Sequence, residues 1–249
     1  MGARVDSDLE RAIDDLVVAN HILFDEHVVD AFGHVSVRHP DRPDHFLLSR
    51  SMAPSRVRAG DIIEHDENGA PVDANGRGVY LERFIHAEIY RARPDVASVV
   101  HSHSASVIPF GISRVELQPV FHMASFLHGA TRFEIREGFG DATDLLIRDS
   151  EKGRYLARAL GGACVSLLRG HGSVVVGRTL REAVYRAVYT EVNARIQTQA
   201  ITLGTDVEYL SPAESEAATG ANATQVGRCW DLWAEQAAAR RKADAGLPH

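Results

Sequence analysis

Residues 82–104 read ERFIHAEIYRARPDVASVVHSHS, and this stretch decides the fold class. The apolar side chains of its first half recur at helical spacing until Pro94, whose ring disfavours continued helix. The apolar run VASVV follows at once, is typical of a buried strand, and leads into His101 and His103. A helix that runs directly into a buried strand predicts a domain of packed helix and sheet layers.

The sequence before this stretch predicts one helix and several strands. Ser7 and Glu10 form a capping box ahead of a helical apolar pattern, which indicates an N-terminal helix. The alternating segments HVSVR, HFLLS and DIIEHD then predict successive strands, and Asn68-Gly69 marks a turn after the last of them.

The sequence after it continues the alternation of strands and helices. The segment ACVSLLRGHGSVVVG at 163–177 predicts two strands around a glycine-flanked turn, and a helical pattern covers 180–202. The alanine-rich end is predicted to form a terminal helix that packs through Trp230 and Trp233. Because no repeat or linker interrupts this order, residues 1–249 are predicted to form a single mixed α/β domain.

The composition excludes several classes of protein. The 249-residue chain is 45% hydrophobic and has a formal net charge of −7, which argues against a nucleic-acid binder. Its two cysteines, Cys164 and Cys229, form neither a disulfide framework nor a thiolate metal motif. The N-terminus lacks the apolar core of a signal peptide, and no run approaches the ~18 apolar residues of a membrane span. We therefore expect a cytoplasmic protein that acts on a small molecule and contacts neither nucleic acid nor membrane.

Three histidines form the candidate metal site. Because strand side chains alternate with period two, His101 and His103 point to the same side, where they can either chelate an ion or merely end the strand. His171 lies between Gly170 and Gly172 after the apolar segment VSLL, which places a third imidazole at a strand end. Three imidazoles leave an ion with open coordination positions, as catalytic metal sites require.

Glu82 opens the helix that precedes the HSH strand. A carboxylate is electrostatically favoured at a helix N-terminus, so Glu82 is compatible with a metal ligand, a proton carrier or an ordinary first-turn glutamate. A role as catalytic acid would require a raised pKa, which burial beside Leu81 and Phe84 could provide.

Taken in this order, the motifs resemble the class II aldolase and adducin family, from the N-terminal helix to about residue 200. The matching segments are GHVSVR at 33–38, FLLSRS at 46–51, DIIEHDENG at 61–69, the quoted stretch 82–104 and LLRGHGSVVVG at 167–177. The resemblance implies a single αβα layered domain in which helices flank a central, largely antiparallel sheet.

The same resemblance implies roles for individual residues. His101, His103 and His171 would bind one divalent ion per subunit, and Glu82, four residues before His86, would serve as acid or base. Mn²⁺ or Zn²⁺ is expected, with Fe²⁺ or Co²⁺ as alternatives, because imidazoles accept all four ions. The resemblance further implies a homotetramer with its active sites near subunit boundaries.

Two segments depart from the sugar-phosphate aldolases of this family. Those enzymes have a pattern resembling TPSG or TPTG in one loop and one resembling PSSE that ends at the glutamate. This chain has SRSM at 49–52 and VYLE at 79–82 in the corresponding positions. A phosphate cradle needs accessible N–H groups and hydroxyls. Since Met52, Tyr80 and Leu81 replace small residues here, a phosphosugar substrate is not expected.

Other side chains in these regions suit a flat carboxylic acid. Arg50 offers a planar donor fork for a carboxylate, and His34 replaces the asparagine of GNVSVR. Ser51 and Tyr80 are predicted to line the same pocket. His122 is the second predicted catalytic residue, although Met123 replaces the tyrosine that follows the corresponding histidine in the aldolases.

These features predict a metal-dependent decarboxylase of a hydroxylated aromatic or pyridine dicarboxylate, with an enolate-like intermediate stabilised by the metal. Arg50 or His34 would anchor the second carboxylate, and Glu82 or His122 would protonate the ring carbon. Three alternatives remain open: a retro-aldolase acting on a non-phosphorylated hydroxy-acid or sugar, an iron-dependent oxygenase, and a non-enzymatic adducin-like module.

Overall fold

One sheet organises the described part of the chain, residues 7–204 and 206–246 of the computed structural model. Its seven strands have the order β3-β2-β1-β4-β7-β6-β5, and every neighbouring pair is antiparallel except β5 and β6. The strands are β1 His34–Arg38, β2 Phe46–Ser49, β3 Ile62–His65, β4 Ser98–Ser102, β5 Thr131–Phe133, β6 Val165–Leu168 and β7 Gly172–Gly177. The prediction of a central, largely antiparallel sheet is confirmed. The outermost residues of the predicted 1–249 domain, 1–6 and 247–249, lie outside the described chain.

Helices cover both faces of this sheet. They are α1 Asp8–Asp25, α2 Arg83–Ala92, α3 Ile108–Ile112, α4 Arg136–Phe139, α5 Ser150–Leu160, α6 Leu180–Thr202, α7 Pro212–Ala223 and α8 Val226–Gly246, with short 3-10 turns at Pro54–Arg56, Ala59–Asp61 and His122–Leu127. Consecutive residues of β4 face opposite layers: Val100 packs with α1, α6 and α8, whereas Val99 packs with α2 and α5. The predicted αβα layering is therefore confirmed.

The ends of the chain follow the predicted caps with one difference. Ser7 and Glu10 make both bonds of the capping box at the start of α1. Trp230 and Trp233 are buried in the α1–α6–α8 layer, as predicted. The predicted terminal helix is α8, and a separate helix that the sequence analysis did not predict, α7, is capped by Ser211 and precedes it.

None of the helices in the described residues is long and apolar enough to cross a bilayer.

The strand order places β4 beside β1 on one side and β7 on the other. His101 of β4 is the direct cross-strand partner of His34, and the turn before β7 carries His171. The functional side chains predicted from separate motifs therefore meet at neighbouring strand ends in the middle of the sheet.

Candidate metal centre

Four side chains converge at these strand ends. Glu82, His101, His103 and His171 each present one ligand atom, and the four atoms lie within 4.8 Å of one another. The structure thus brings together the three histidines and the glutamate selected from the sequence.

The spacing of these atoms suits a single ion. The Nε2 atoms of His101 and His103 are 3.1 Å apart, and Oε2 of Glu82 lies 3.5 Å from Nε2 of His101 and 3.4 Å from Nε2 of His171. Two ligands about 2.1 Å from one ion lie about 3.0 Å apart at a right angle and about 3.4 Å apart at the tetrahedral angle. The measured distances match edges of such a coordination polyhedron.

A backbone contact sets the orientation of the His101 ring. Its Nδ1 lies 3.1 Å from the carbonyl oxygen of Ser173, the β7 residue paired with Ser102. A carbonyl can only accept, so Nδ1 of His101 carries the proton and Nε2 keeps its lone pair. This second contact is the usual device that fixes a metal-binding imidazole.

The turn before β7 fixes the backbone of His171. Its backbone N–H donates to the Leu168 carbonyl, and Gly170 before it has a φ of 66°, a conformation that favours glycine. Both ring nitrogens of His171 are buried without a hydrogen-bond partner, although Nε2 faces the Glu82 carboxylate. Buried polar atoms are normally satisfied, and a bound cation would satisfy Nε2.

The glycine after His171 lets β7 approach β4. A Cβ on Gly172 would lie 2.0 Å from the carbonyl oxygen of Ser102. Ser102 stands between His101 and His103 in the sequence. We expect Gly172→Ala to destabilise the fold by about 2 kcal/mol or more and to lower metal content, measured by thermal unfolding and elemental analysis. Gly162→Ala, with nothing within 4 Å of the added carbon, is the matched control. Unchanged stability and metal content in Gly172→Ala would contradict this reading of the turn.

Glu82 is anchored from a distant loop. It lies immediately before α2, and its Oε1 accepts a 2.9 Å hydrogen bond from the backbone N–H of Ile147, which leaves Oε2 directed at the histidines. Burial alone would raise the pKa of Glu82, but in the metal-free protein His101 and His171, when protonated, hold it below its usual range. The raised pKa expected from its apolar neighbours is therefore wrong for the free protein, because the histidines outweigh desolvation. Glu82 rests as a carboxylate.

The loop after His103 is fixed from α6. The hydroxyls of Ser104 and Ser106 both donate to the buried carboxylate of Glu191, which also lies 3.4 Å from Arg195.

Burial, reinforced by the neighbouring His101 and His171, lowers the pKa of His103 to about 4. His103 is therefore neutral near pH 7, the protonation state that a metal requires of an imidazole ligand.

The residues present fit a divalent ion. The donor set of three imidazoles and one carboxylate is partly exposed at His103 and His171, and the His101 ring is aligned by the Ser173 carbonyl. A mixed nitrogen and oxygen set of this kind is compatible with Mn²⁺, Zn²⁺, Fe²⁺ or Co²⁺.

Among the predicted substrate-binding residues, His34 lies nearest to this cluster. It is buried, and its ring centroid is 5.1 Å from that of His101 and 4.5 Å from that of Tyr80. The Tyr80 hydroxyl donates 2.6 Å to the Met52 carbonyl, so this group holds the neighbouring loop while its ring lines the site beside His34.

Arg50 and Ser51 belong to the loop that Tyr80 holds. The Nε of Arg50 donates to Asp61, while its terminal guanidinium nitrogens have no hydrogen-bond partner among the described residues. The Ser51 side chain is exposed. One edge of the Arg50 fork therefore remains available to an anion.

His122 lies apart from the cluster. It is exposed at the start of the 3-10 turn, its carbonyl accepts from Asn222, and its ring contacts Phe121. In the described chain, no hydrogen bond, ion pair or ring contact joins His122 to the four-residue cluster. The structure of one chain does not bring this predicted catalytic residue to the site.

Two exposed apolar residues lie beside the centre. Sequence reasoning missed Phe32, and it named Leu81 only as a bulky replacement in the VYLE segment and as an apolar neighbour of Glu82. Phe32 is exposed although its ring centroid is 6.3 Å from that of His103, and Leu81 is exposed next to Glu82. Large apolar side chains left in water at the edge of a polar cluster indicate a binding surface. The signal for Phe32 was its place just before Gly33 and the first strand, two residues from His34.

Comparisons with known proteins agree on one family. Residues 14–198 match the model described as the class II aldolase and adducin N-terminal domain. The chain is 38% identical over 239 residues to the decarboxylase tropJ of Talaromyces stipitatus, covering 87% of this chain and 90% of that protein. It is 29% identical to a 3,4-dihydroxyphthalate decarboxylase of a Terrabacter species, covering 69% of this chain and 73% of the relative.

Two further likenesses bear on the fold and on the range of chemistry. A Streptomyces roseochromogenus protein named as a 4-hydroxy-3-prenylphenylpyruvate oxygenase and 4-hydroxy-3-prenylbenzoate synthase is 32% identical over 69% of this chain and 61% of its own length. The L-fuculose 1-phosphate aldolase of Glaciozyma antarctica has a similar structure, with a TM-score of 0.76, 22% identity and coverage of 95% of this chain and 93% of that one. At that identity the aldolase shows a shared fold.

Proposed function

Because the chain belongs to the class II aldolase and adducin family, we propose that it is a metal-dependent decarboxylase of a hydroxylated aromatic or pyridine dicarboxylate. Its decarboxylase and aldolase relatives support a lyase. Two of them are named as decarboxylases, and one name specifies a dihydroxylated benzene dicarboxylate.

One structural observation favours decarboxylation over sugar-phosphate cleavage. The backbone N–H groups of residues 50–52 are all engaged inside the protein: those of Arg50 and Ser51 donate to the carbonyls of Asp61 and Gly78, and that of Met52 faces the Tyr80 hydroxyl at 3.4 Å. A phosphate cradle needs such groups free. In place of free backbone N–H groups, this loop presents the terminal guanidinium nitrogens of Arg50, which have no hydrogen-bond partner among the described residues.

The side chains around the four-residue cluster suit a planar substrate. Phe32 and Leu81 supply apolar surface beside His103 and Glu82, and the Tyr80 ring lies against His34. Small-molecule sites of this type combine apolar walls with a few directed polar groups. Arg50 would take the second carboxylate through its free guanidinium edge.

Glu82 would carry the proton of the reaction. The resting carboxylate accepts the proton of the substrate hydroxyl and then delivers it to the ring carbon that bears the departing carboxylate. The bond between that carbon and the carboxylate breaks, its electron pair restores the ring, and carbon dioxide leaves; a proton from water returns the product to its phenol form. A divalent ion held by the three histidines would supply Lewis-acid stabilisation of the developing oxyanion. Acid–base catalysis of this kind contributes typically about 10²- to 10⁴-fold.

The direct test is a product assay. Purified protein loaded with Mn²⁺ or Zn²⁺ and offered a panel of hydroxyaryl and hydroxypyridine dicarboxylates is expected to release one carbon dioxide per diacid, with metal content measured in the same sample. Chelated protein is the control. The matching monocarboxylates should react with a higher KM, because they leave the Arg50 edge without a partner. Absence of carbon dioxide over the whole panel from fully loaded protein would overturn the proposal.

Two other reactions are separated by the same experiment. An aldehyde product would indicate a retro-aldolase acting on a non-phosphorylated hydroxy-acid or sugar. Oxygen consumption with Fe²⁺ would indicate an oxygenase, a candidate favoured by the named activity of the Streptomyces relative and by a donor set that also suits Fe²⁺.

We also propose a homotetramer with active sites near subunit boundaries. In such an assembly the exposed His122 ring would be available to the site of a neighbouring copy. Sedimentation analysis gives the mass of the assembly directly.

A further inference from the structure

A buried chain of hydrogen-bonding side chains leads from His34 to Tyr90. Nδ1 of His34 lies 2.7 Å from Nε2 of His86. Nδ1 of His86 lies 2.6 Å from Oγ of Ser36, and this oxygen lies 2.7 Å from the Tyr90 hydroxyl. All four residues are buried. We call His34, His86, Ser36 and Tyr90 the histidine relay.

The fold places the relay between β1 and α2. His34 and Ser36 are two residues apart on β1 and so face the same layer, while His86 and Tyr90 are one helical turn apart on α2 and face them. His34 is also the cross-strand partner of His101. The relay therefore begins beside the metal cluster and ends in the interior.

The relay has a limited number of protons to distribute. No carboxylate hydrogen-bonds to either imidazole in the described residues, and both rings are buried, where an unpaired charge is strongly disfavoured. Both rings are therefore neutral, and each carries one N–H. Every contact in the relay needs one proton, and every buried donor needs an acceptor. If both His86 and Tyr90 donated to Ser36, the Ser36 hydroxyl would have no acceptor among the described residues, so the bonds run in one direction along the relay.

Only one direction satisfies every buried donor. If Tyr90 donates to Ser36, then Ser36 donates to His86, His86 donates from Nε2 to His34, and the His34 proton resides on Nε2. In the reverse direction the Tyr90 hydroxyl has no acceptor among the described residues, because its neighbours are the Ser36 hydroxyl and the Val99 backbone N–H, which is itself a donor. A buried donor without an acceptor costs about 1–3 kcal/mol.

We propose that the histidine relay locks His34 as its Nε2–H tautomer, so that His34 donates a hydrogen bond to an oxygen of the substrate. The Nε2 of His34 has no hydrogen-bond partner in the described chain and is not fully enclosed by protein atoms, so it is open to a ligand. The substrate contact rests on the proposed function, whereas the tautomer does not. His86, Ser36 and Tyr90 are positioning residues that act through His34.

This assignment defines what the site recognises. A neutral N–H donor beside a divalent ion selects a carboxylate or ring oxygen, and it cannot remove a proton from the substrate. His34 thus contributes to orientation and oxyanion stabilisation, while the proton transfer remains with Glu82. A substrate analogue with a hydrogen-bond donor at the same position would be rejected.

The tautomer can be measured without any turnover. In protein labelled with ¹⁵N-histidine and loaded with diamagnetic Zn²⁺, long-range ¹H–¹⁵N spectra distinguish Nδ1–H from Nε2–H rings, and the His34→Gln variant identifies the His34 signals. We expect the Nε2–H pattern for His34 in the wild-type protein. An Nδ1–H pattern would overturn the proposal whether or not the protein proves to be a decarboxylase.

Variants of Ser36 test the relay itself. Ser36→Ala removes the donor to His86, so we expect a mixture of His34 tautomers and a loss of about tenfold in kcat/KM, the effect of weakening one hydrogen bond to a charged oxygen. Ser36→Thr keeps the hydroxyl and should restore the wild-type spectrum. Ser98→Ala is the matched control, because Ser98 Oγ bonds only to the Ser36 backbone carbonyl. An unchanged His34 tautomer in folded Ser36→Ala would contradict the relay.

Discussion

His171→Ala is expected to lower metal affinity strongly and to lower turnover at least about 10³-fold, because the variant loses one of four converging donors and keeps only two imidazoles and a carboxylate placed for a larger donor set. His171 gives the cleanest test among the three candidate histidine ligands. Among the described residues its ring has no hydrogen-bond partner, so the substitution removes no other hydrogen bond. In His101→Ala, by contrast, the contact with Ser173 would be lost as well.

The stability of the His171→Ala variant separates metal loss from misfolding. Without metal it should unfold at a temperature close to that of metal-free wild type, since an unsatisfied buried ring has been removed. At the same Zn²⁺ concentration the wild type should gain more stability than the variant, because stabilisation by a ligand that binds only the folded state increases with its affinity. His128→Ala, at an exposed histidine, is the control. Metal-dependent stabilisation equal to that of wild type in His171→Ala would exclude His171 as a ligand.

The metal cluster could be predicted because each member stands where the sequence marks the end of an element. The HSH pair follows an apolar run, His171 lies between glycines, and Glu82 precedes a helical pattern that stops at Pro94. These signals are local, and the central position of β4 between β1 and β7 then brings them together. The αβα layering was predictable for the same reason, because its apolar periodicities are local.

The contacts that set the chemistry were not predictable, because they join distant parts of the chain. The Ile147 N–H that orients Glu82 is 65 residues away, and no periodicity marks it. The lowered pKa of Glu82 depends on His101 and His171, which lie on other elements. Tyr80 was selected for its bulk, yet its hydroxyl fixes the Met52 loop. Sequence can supply the side chains of a site, but their protonation states depend on pairings that only the folded chain defines.

The second large effect concerns Glu82. Glu82→Gln keeps the size of the side chain and an oxygen for the Ile147 N–H, but it removes the negative charge and the ability to carry a proton. We expect turnover to fall about 10²- to 10⁴-fold, the usual contribution of a positioned acid or base. Metal affinity should fall less than in His171→Ala, because all three imidazoles remain.

Separate measurements of metal content and rate decide which role Glu82 has. A variant that binds metal fully and turns over slowly identifies Glu82 as the proton carrier. A variant whose rate is restored by excess metal identifies it as a ligand alone, and full metal with undiminished turnover removes Glu82 from the mechanism. Glu88→Gln is a useful comparison, because Glu88 is a buried α2 carboxylate paired with Arg91 rather than with the histidines.

Because the histidines hold the Glu82 pKa low, the wild-type carboxylate should remain ionised as pH falls from 8 to 5. Loss of activity in that range should instead follow protonation of the imidazoles that bind the metal.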